Sequence, residues 1–360
     1  MSGGVDSAVA ALLLVRAGYD VQGLYMSNWD DDDAYCTGAQ DFQDARAVAV
    51  ELGIPLHRVN FAAQYRVRVF EYFLGEYRAG RTPNPDVLCN REIKFGICLE
   101  YADRLGAHRF ATGHYARLEQ TSSGPVLLKA RDPDKDQSYF LHAVARGHFA
   151  RVEFPLGALT KSQVRALARE AGLPVYDKPD STGICFIGER PFREFLARYI
   201  PTTPGEIVTE HGEVIGTHRG LAFYTLGQRG GLEIGGRAGH DEQPWYVAAK
   251  NLARNELTAV QGHDHPLLVS RALATGPCNW LVQPGAAFDA LEFASTIKVR
   301  YRQADQACHA TVRSDGALEV RFMEPQRAVT PGQFAVLYDG ERCLGGGVIE
   351  RTAPEAARLS

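Results

Sequence analysis

What this chain lacks narrows it first. No run of eighteen apolar residues occurs, and the first residues carry neither a basic stretch nor a signal-type cleavage site, so no membrane-spanning helix is expected and a soluble, cytoplasmic protein is. The seven cysteines, at 36, 89, 98, 185, 278, 308 and 343, include no C-x-x-C pair, and their number is odd. That argues against a disulfide scaffold and a four-cysteine zinc site, so any cysteine that matters should act as a thiol. Gly-Lys dipeptides are absent, as is any G-x-G-x-x-G string, which removes the Walker loop and the dinucleotide fingerprint. Positive charge is not in excess either. Against 39 Lys and Arg stand 43 Asp and Glu, a net −4, so a nucleic-acid partner would have to be held by local patches.

What is present is ordinary globular material. The 360 residues are 45% hydrophobic and 23% charged, enough for two or three domains with buried cores. Up to about Phe110, helix-like segments (Ala8 to Ala17, Asp41 to Leu52, Ile93 to Leu105) alternate with strand-like ones (Val21 to Met26, Leu56 to Phe61, His108 to Thr112). Such alternation predicts an α/β domain with a parallel sheet flanked by helices. Lys161 to Gly172 reads as a further helix stopped by Gly172 and Pro174. Beyond roughly Pro201 short alternating segments between turn signals such as Asp315-Gly316 predict two smaller, mainly β domains, the last a barrel. Arg300, Tyr301 and Arg302 fall at the end of one such predicted strand, as a nucleic-acid contact or as a solvated β face. Asp30 to Asp33 reads as a solvated loop, and His263 and His265 as polar surface rather than metal ligands.

Ser2-Gly3-Gly4-Val5-Asp6-Ser7 precedes the first helix directly. Small residues let backbone N–H groups approach an oxyanion, and the helix N-terminus adds partial positive charge. Ser2 and Ser7 can donate hydroxyls to phosphate, and Asp6 can orient magnesium. Taken alone, Ser-Gly-Gly is equally a turn before an N-cap.

Two cysteines have settings unlike the others. Cys89 follows Thr82-Pro-Asn-Pro-Asp-Val-Leu at an expected helix start that Asp86 or Asn90 would cap, near Arg91 and Lys94, a setting that favours thiolate; Asp86 can shuttle a proton. Cys185 lies between Gly183 and Gly188, in a loop suited to a mobile carrier. The alternative for each is a small buried hydrophobe, the reading kept for Cys98, Cys278, Cys308 and Cys343.

The loop S-G-G-x-D-S resembles that of the PP-loop pyrophosphatases, and in order SGGVDS, TPNPDVLCN, ATGHY, KDQSYFL and DSTGICFIGER resemble the tRNA-specific 2-thiouridylase family. LGQRGGL, PWYV, QGHDHP, TIKVRYRQ and VTPGQFAVLY extend the likeness almost to the C-terminus. The resemblance implies adenylation of O2 of the wobble uridine (U34) by ATP with Mg2+, then displacement by sulfur carried as a Cys185 persulfide. Cys89 would be the nucleophile that frees this sulfur by forming a disulfide with Cys185, and a reductant would reset the pair. ATP would be held by Met1, Ser2, Gly3, Gly4, Val5, Asp6, Ser7, Met26 and Gly113. Asn84, Pro85 and Asp86 would meet the base, and His114, Lys135, Asp136, Gln137, Arg300, Tyr301 and Gln333 the tRNA.

Implied partners are the tRNA anticodon arm and a sulfur-relay protein or cysteine desulfurase, with the chain itself a monomer. The implied domains are a PP-loop catalytic domain over residues 1–192, a linking domain over 193–268 and a tRNA-contacting β-barrel over 269–360. Two rivals are another adenylating ligase or amidotransferase, which needs neither cysteine, and a non-enzymatic RNA-binding protein, which releases no pyrophosphate. A loop of this kind follows a buried strand, yet Met1 immediately precedes Ser2. About five buried side chains are worth on the order of 10 kcal/mol, so the natural product is expected to start upstream, which intact mass would test.

Overall fold

The computed structural model describes residues 1–29, 38–180, 192–235, 243–282 and 292–354. Cys36, Cys185 and Asp30 to Asp33 lie outside these residues. The first helix, α1 (Val5–Arg16), buries Val5 and the run Ala8 to Leu12, so its contiguous apolar residues are held by core on most sides. Strand β1 (Gly23–Ser27), helix α2 (Gly38–Glu51) and strand β2 (Leu56–Asn60) complete a β-α-β unit, parallel from Gly23 opposite Leu56 to Ser27 opposite Asn60. Two long helical stretches follow, α3 over 62–78 and α4 over 85–104, with π-helical segments at Arg66–Phe70 and Cys89–Ile97.

Next come β3 (Phe110–Ala111), the hairpin β4 (Arg117–Thr121) and β5 (Gly124–Leu128), the short helix α5 (Ser138–Leu141), and β6 (Val152–Glu153), parallel to β3. Helix α6 (Lys161–Glu170) starts at a reciprocal capping box between Thr160 and Gln163, and α7 (Phe192–Ala197) closes this half. The expected parallel sheet is thus present as two pairs, β1 with β2 and β3 with β6, rather than as one continuous ladder. No helix among the described residues is long and apolar enough to cross a membrane.

The middle segment forms a four-stranded sheet in which β8 (Val214–His218), β7 (Gly205–Val208), β10 (Glu256–Gln261) and β9 (Trp245–Asn251) lie side by side. The last segment closes a six-stranded barrel. Around it run β11 (Val269–Pro277), β15 (Ala317–Arg327), β14 (Gln306–Val312), β13 (Glu292–Lys298), β16 (Phe334–Asp339) and β17 (Arg342–Pro354), and β17 pairs back onto β11. The short β12 (Asn279–Trp280) also pairs with β17, and Arg342 opposite Leu128 continues the sheet into the β4–β5 hairpin. Closure removes the exposed edges that would otherwise pair with other chains. Gly345 and Gly346 let β17 lie close against β12 and β16: a Cβ at either would stand 2.2 Å from a neighbouring carbonyl oxygen, of Asn279 and Ala335 respectively.

One strand expectation fails. Strand β13 ends at Lys298, and Arg300, Tyr301 and Arg302 occupy the turn after it, because the Gln303 side chain accepts from Val299 N (2.8 Å) and Gln303 N bonds back to Arg300 O (3.3 Å).

The cores cross the segment boundaries. One cluster joins Phe70, Phe73, Leu88 and Ile93, with Phe195 of α7, to Ile207, Ile215 and Leu257 of the middle segment. Another joins Val87, Phe95, Leu127 and Tyr139 to Phe334, Val336, Tyr338 and Cys343 of the barrel.

Candidate active site

The loop before α1 is held open by glycine. Gly3 has φ +76°, and a Cβ there would lie 2.2 Å from Asp41 O, so only glycine fits. No side chain caps the first turn of α1, whose cap residue is Gly4. Ser7 Oγ accepts from Ser2 N (3.0 Å) and lies 3.1 Å from Ser2 Oγ. A tight ring of two hydroxyls and glycine amides thus surrounds a helix N-terminus, a fit for phosphate oxygens. Gly113 closes one wall: a Cβ there would stand 2.8 Å from Asp6 C and Ser7 N. Val5 is buried, and Met1 and Met26 are partly buried.

Around the loop lies a charge network that the sequence pattern did not reveal. Lys161 Nζ donates to both oxygens of Asp6 (2.7 and 2.9 Å) and pairs with Asp180 (2.7 Å), while Tyr115 Oη donates to Asp6 Oδ1 (2.8 Å). Burial would raise the Asp180 carboxyl, but Lys135 (2.8 Å) and Lys161 outweigh it and hold its pKa at about 2. Lys178 Nζ donates to Gly3 O (3.0 Å) and to Asp41 (2.7 Å) and Asp44 (2.5 Å), fixing the back of the loop. With both oxygens engaged by Lys161, Asp6 does not fit the expected magnesium role in this arrangement.

Composition held one signal for these residues. The chain has 7 lysines against 32 arginines, and all seven lysines are partly buried, four of them (Lys94, Lys135, Lys161 and Lys178) around this site.

The Thr82 to Cys89 motif begins α4 at Pro85, with Asn84 in the cap position; neither Asp86 nor Asn90 caps it, since Pro85 takes the first helical position. Cys89 therefore lies one turn inside the helix rather than at its positive end. It is 1% exposed, in the apolar cluster with Leu88 and Ile93, and it opens the π-helical segment. Asp86 has its carboxyl pKa raised by burial, against the opposing pull of Lys94. Among the described residues the side-chain oxygens of Asn84 and Asn90 are buried with no hydrogen-bond partner, although Asn90 Nδ2 donates to Phe140 O (3.2 Å).

His114 is buried against Phe95, Phe154, Thr112 and Lys94. Burial and Lys94 push its pKa well below the usual value, so the ring is neutral. A lysine ammonium only donates, so Nε2 accepts from Lys94 (3.5 Å) and the Nδ1 proton goes to Thr112 Oγ1 (2.8 Å).

The remaining RNA candidates divide. Asp136 is 5% exposed and turned inward, accepting from Ala130 N (3.0 Å) and Ser138 Oγ (2.9 Å), and Gln137 Oε1 accepts from Tyr115 N (2.9 Å). Both shape the chain beside the loop. Arg300 is exposed, though its Nη2 donates to Ala328 O (2.7 Å) and reaches Leu226 O (3.4 Å). Tyr301 packs on Phe140 with the rings tilted by 42° and their centres 4.3 Å apart, within electrostatic reach of Asp86. Gln333 Nε2 donates to Thr82 O (2.8 Å), two residues before Asn84. The Cys278 side chain is partly exposed, while Cys98, Cys308 and Cys343 are buried.

Comparison with known proteins agrees with this arrangement. Residues 1–189 match the family model described as a tRNA methyl transferase HUP domain, 193–261 a tRNA methyl transferase PRC-barrel domain, and 270–349 an aminomethyltransferase β-barrel domain. Among similar curated proteins is a tRNA-specific 2-thiouridylase MnmA of Chromohalobacter salexigens, 59% identical over 98% of this chain and 91% of that one. Those of Marinobacter nauticus (57%, covering 98% and 90%) and Alcanivorax borkumensis (56%, covering 98% and 96%) carry the same name. An α/β nucleotide-loop domain, two β domains and likeness over nearly all of both chains converge: the chain belongs to the tRNA-specific 2-thiouridylase family.

Proposed function

We propose that this chain uses ATP to activate O2 of a tRNA wobble uridine and then replaces that oxygen with sulfur. The observation that carries the reading is the continuity between two half-sites. Gly113 packs on Asp6 and Ser7 of the phosphate loop, and the next residue, His114, holds Lys94, the cation facing Asp86. Nucleotide and base chemistry are therefore neighbours across one dipeptide.

In this reading the amides of the first turn of α1, the Ser2 and Ser7 hydroxyls and Lys161 hold the phosphates of ATP. Asn84, whose buried oxygen lacks a partner among the described residues, accepts from the uracil N3–H. Asp86, with its raised pKa, exchanges a proton with the base as O2 attacks the α-phosphorus and pyrophosphate leaves. The terminal sulfur of a Cys185 persulfide then attacks C2 and AMP departs. Cys89 thiolate attacks Cys185 Sγ, the S–S bond breaks in favour of the Cys89–Cys185 disulfide, and its electron pair leaves with the sulfur now double-bonded to C2. A two-electron thiol reductant restores both cysteines. Because Cys89 is buried, the last exchange requires the start of the π-helical segment to open, and such segments recur at functional sites. No step is assigned to magnesium. Arg300, Tyr301 and Lys135 offer the anticodon arm cations and a ring, and the persulfide comes from a relay protein or desulfurase in the cytoplasm.

The test is purified protein with tRNA, ATP and a persulfide donor, following pyrophosphate and 2-thiouridine by mass spectrometry. Cys89→Ser and Cys185→Ser should still release pyrophosphate but form no 2-thiouridine. Variants that retain full turnover would instead support an adenylating ligase.

A further inference from the structure

Residues 80–82 connect α3 to the base-facing Asn84, and they are gripped from two other parts of the chain. Helix α3 ends in a closed turn: Gly80 N bonds Tyr77 O (3.0 Å), Arg81 N bonds Glu76 O (2.9 Å) and Gly80 takes φ +73°. Arg81 Nε pairs with the buried Glu76 (2.7 Å). This turn leaves Gly80 O and both backbone groups of Thr82 to be satisfied elsewhere. Lys250 Nζ, from β9, donates to Gly80 O (2.9 Å). Thr82 N donates to Pro331 O (3.0 Å), and Thr82 O accepts from Gln333 (2.8 Å), both of the barrel. Thr82 Oγ1 lies 3.3 Å from Thr225 Oγ1 of the middle segment. Gly332 permits the close approach, since a Cβ there would stand 2.9 Å from Thr82 N.

We infer that Lys250 is a positioning residue for uridine capture: its ammonium fixes Gly80 O and thereby where Asn84 and Asp86 stand. The inference rests on the proposed function, and its force comes from how little else Lys250 does. Among the described residues its ammonium has no carboxylate partner, and the one hydrogen bond of its side chain there is to Gly80 O. Burial drives its pKa down to about 8. A partly desolvated cation with one carbonyl partner costs stability, and a methionine would fill the same space without that cost. A charge-assisted bond to one carbonyl, however, sets position more firmly than apolar contact does. Pro83 and Pro85, with fixed φ, make the link from Gly80 to Asp86 stiff, so displacement at one end is carried to the other.

The experiment compares Lys250→Met and Lys250→Arg with wild type in the full thiolation reaction. Lys250→Met should lower kcat on the order of tenfold while KM for ATP and tRNA stays within about twofold of wild type. Its melting temperature should stay close to wild type, because removing the buried charge offsets the lost partner of Gly80 O. Lys250→Arg should recover most of kcat. An unchanged kcat in Lys250→Met overturns the inference, as does a fall matched by a lower melting temperature and weaker ATP affinity, which marks a purely structural role. A wild-type protein that fails to thiolate removes the proposed function and this inference together.

Discussion

Lys161 Nζ stands 2.7 Å from oxygens of both Asp6 and Asp180, so a single ammonium neutralises two carboxylates beside the phosphate loop. Lys161→Met should leave both acids facing the nucleotide and reduce pyrophosphate release by about a hundredfold or more; a wild-type rate would reject its place at the phosphates. Asp86→Asn preserves shape but cannot exchange a proton. It should cost roughly two to four orders of magnitude in kcat and remove the acidic limb of the pH–rate profile, whereas an unaltered profile would assign proton transfer elsewhere. Asp180 has a folded pKa of about 2 against an ordinary 3.8, so its contribution to stability is complete above the ordinary value and is lost as pH falls toward 2. Thermal unfolding of Asp180→Asn should therefore lose less stability than wild type between these pH values, and parallel curves would contradict this. Legibility differs sharply between these residues. Asp6 and Asp86 sit inside short strings that single them out, although the magnesium role read for Asp6 does not fit its pairing with Lys161, which meets it from 155 residues away. No local pattern encodes that meeting.

At the scale of elements, α1, α2 and α6 were legible because apolar spacing is local, and they begin and end within a few residues of expectation, whereas the helical stretch α3 over 62–78 was not expected. The start of α4 was read one turn late, since two prolines obscured the cap at Asn84, and this moved Cys89 from an expected helix end into the core. The Arg300–Tyr301 turn was missed because alternation continues past Lys298, while a side-chain contact from Gln303 ends the strand. Gly3 stands out in the sequence as a candidate phosphate-loop glycine, and the structure shows why only glycine fits its backbone there. Gly3→Ala should destabilise the loop by roughly 1–3 kcal/mol and abolish nucleotide binding, measured by calorimetry with ATP. Retained affinity would mean that the loop does not hold phosphate.

For the whole molecule, a β-rich second half ending in a barrel could be anticipated from short alternating strands, but the closing pair, β17 on β11, could not. Pairing of distant strands leaves no periodic mark on either. Nor could composition disclose that the α/β half shares cores with both β segments, through Phe70 and Ile93 on one side and Phe95 and Tyr139 on the other. Calorimetry should accordingly record one cooperative transition rather than three, and residues 269–360 expressed alone should not fold; separate transitions would show that the shared clusters contribute little.

The bond from Tyr139 Oη to Phe334 O spans 195 residues. During synthesis, the half that bears the nucleotide loop must therefore leave the ribosome with Phe95, Leu127 and Tyr139 unsealed, and wait in that state for the barrel strands to be translated. Its assembly is gated by the barrel strands, and a nascent chain halted before Phe334 should remain open to protease around Phe95 and Tyr139.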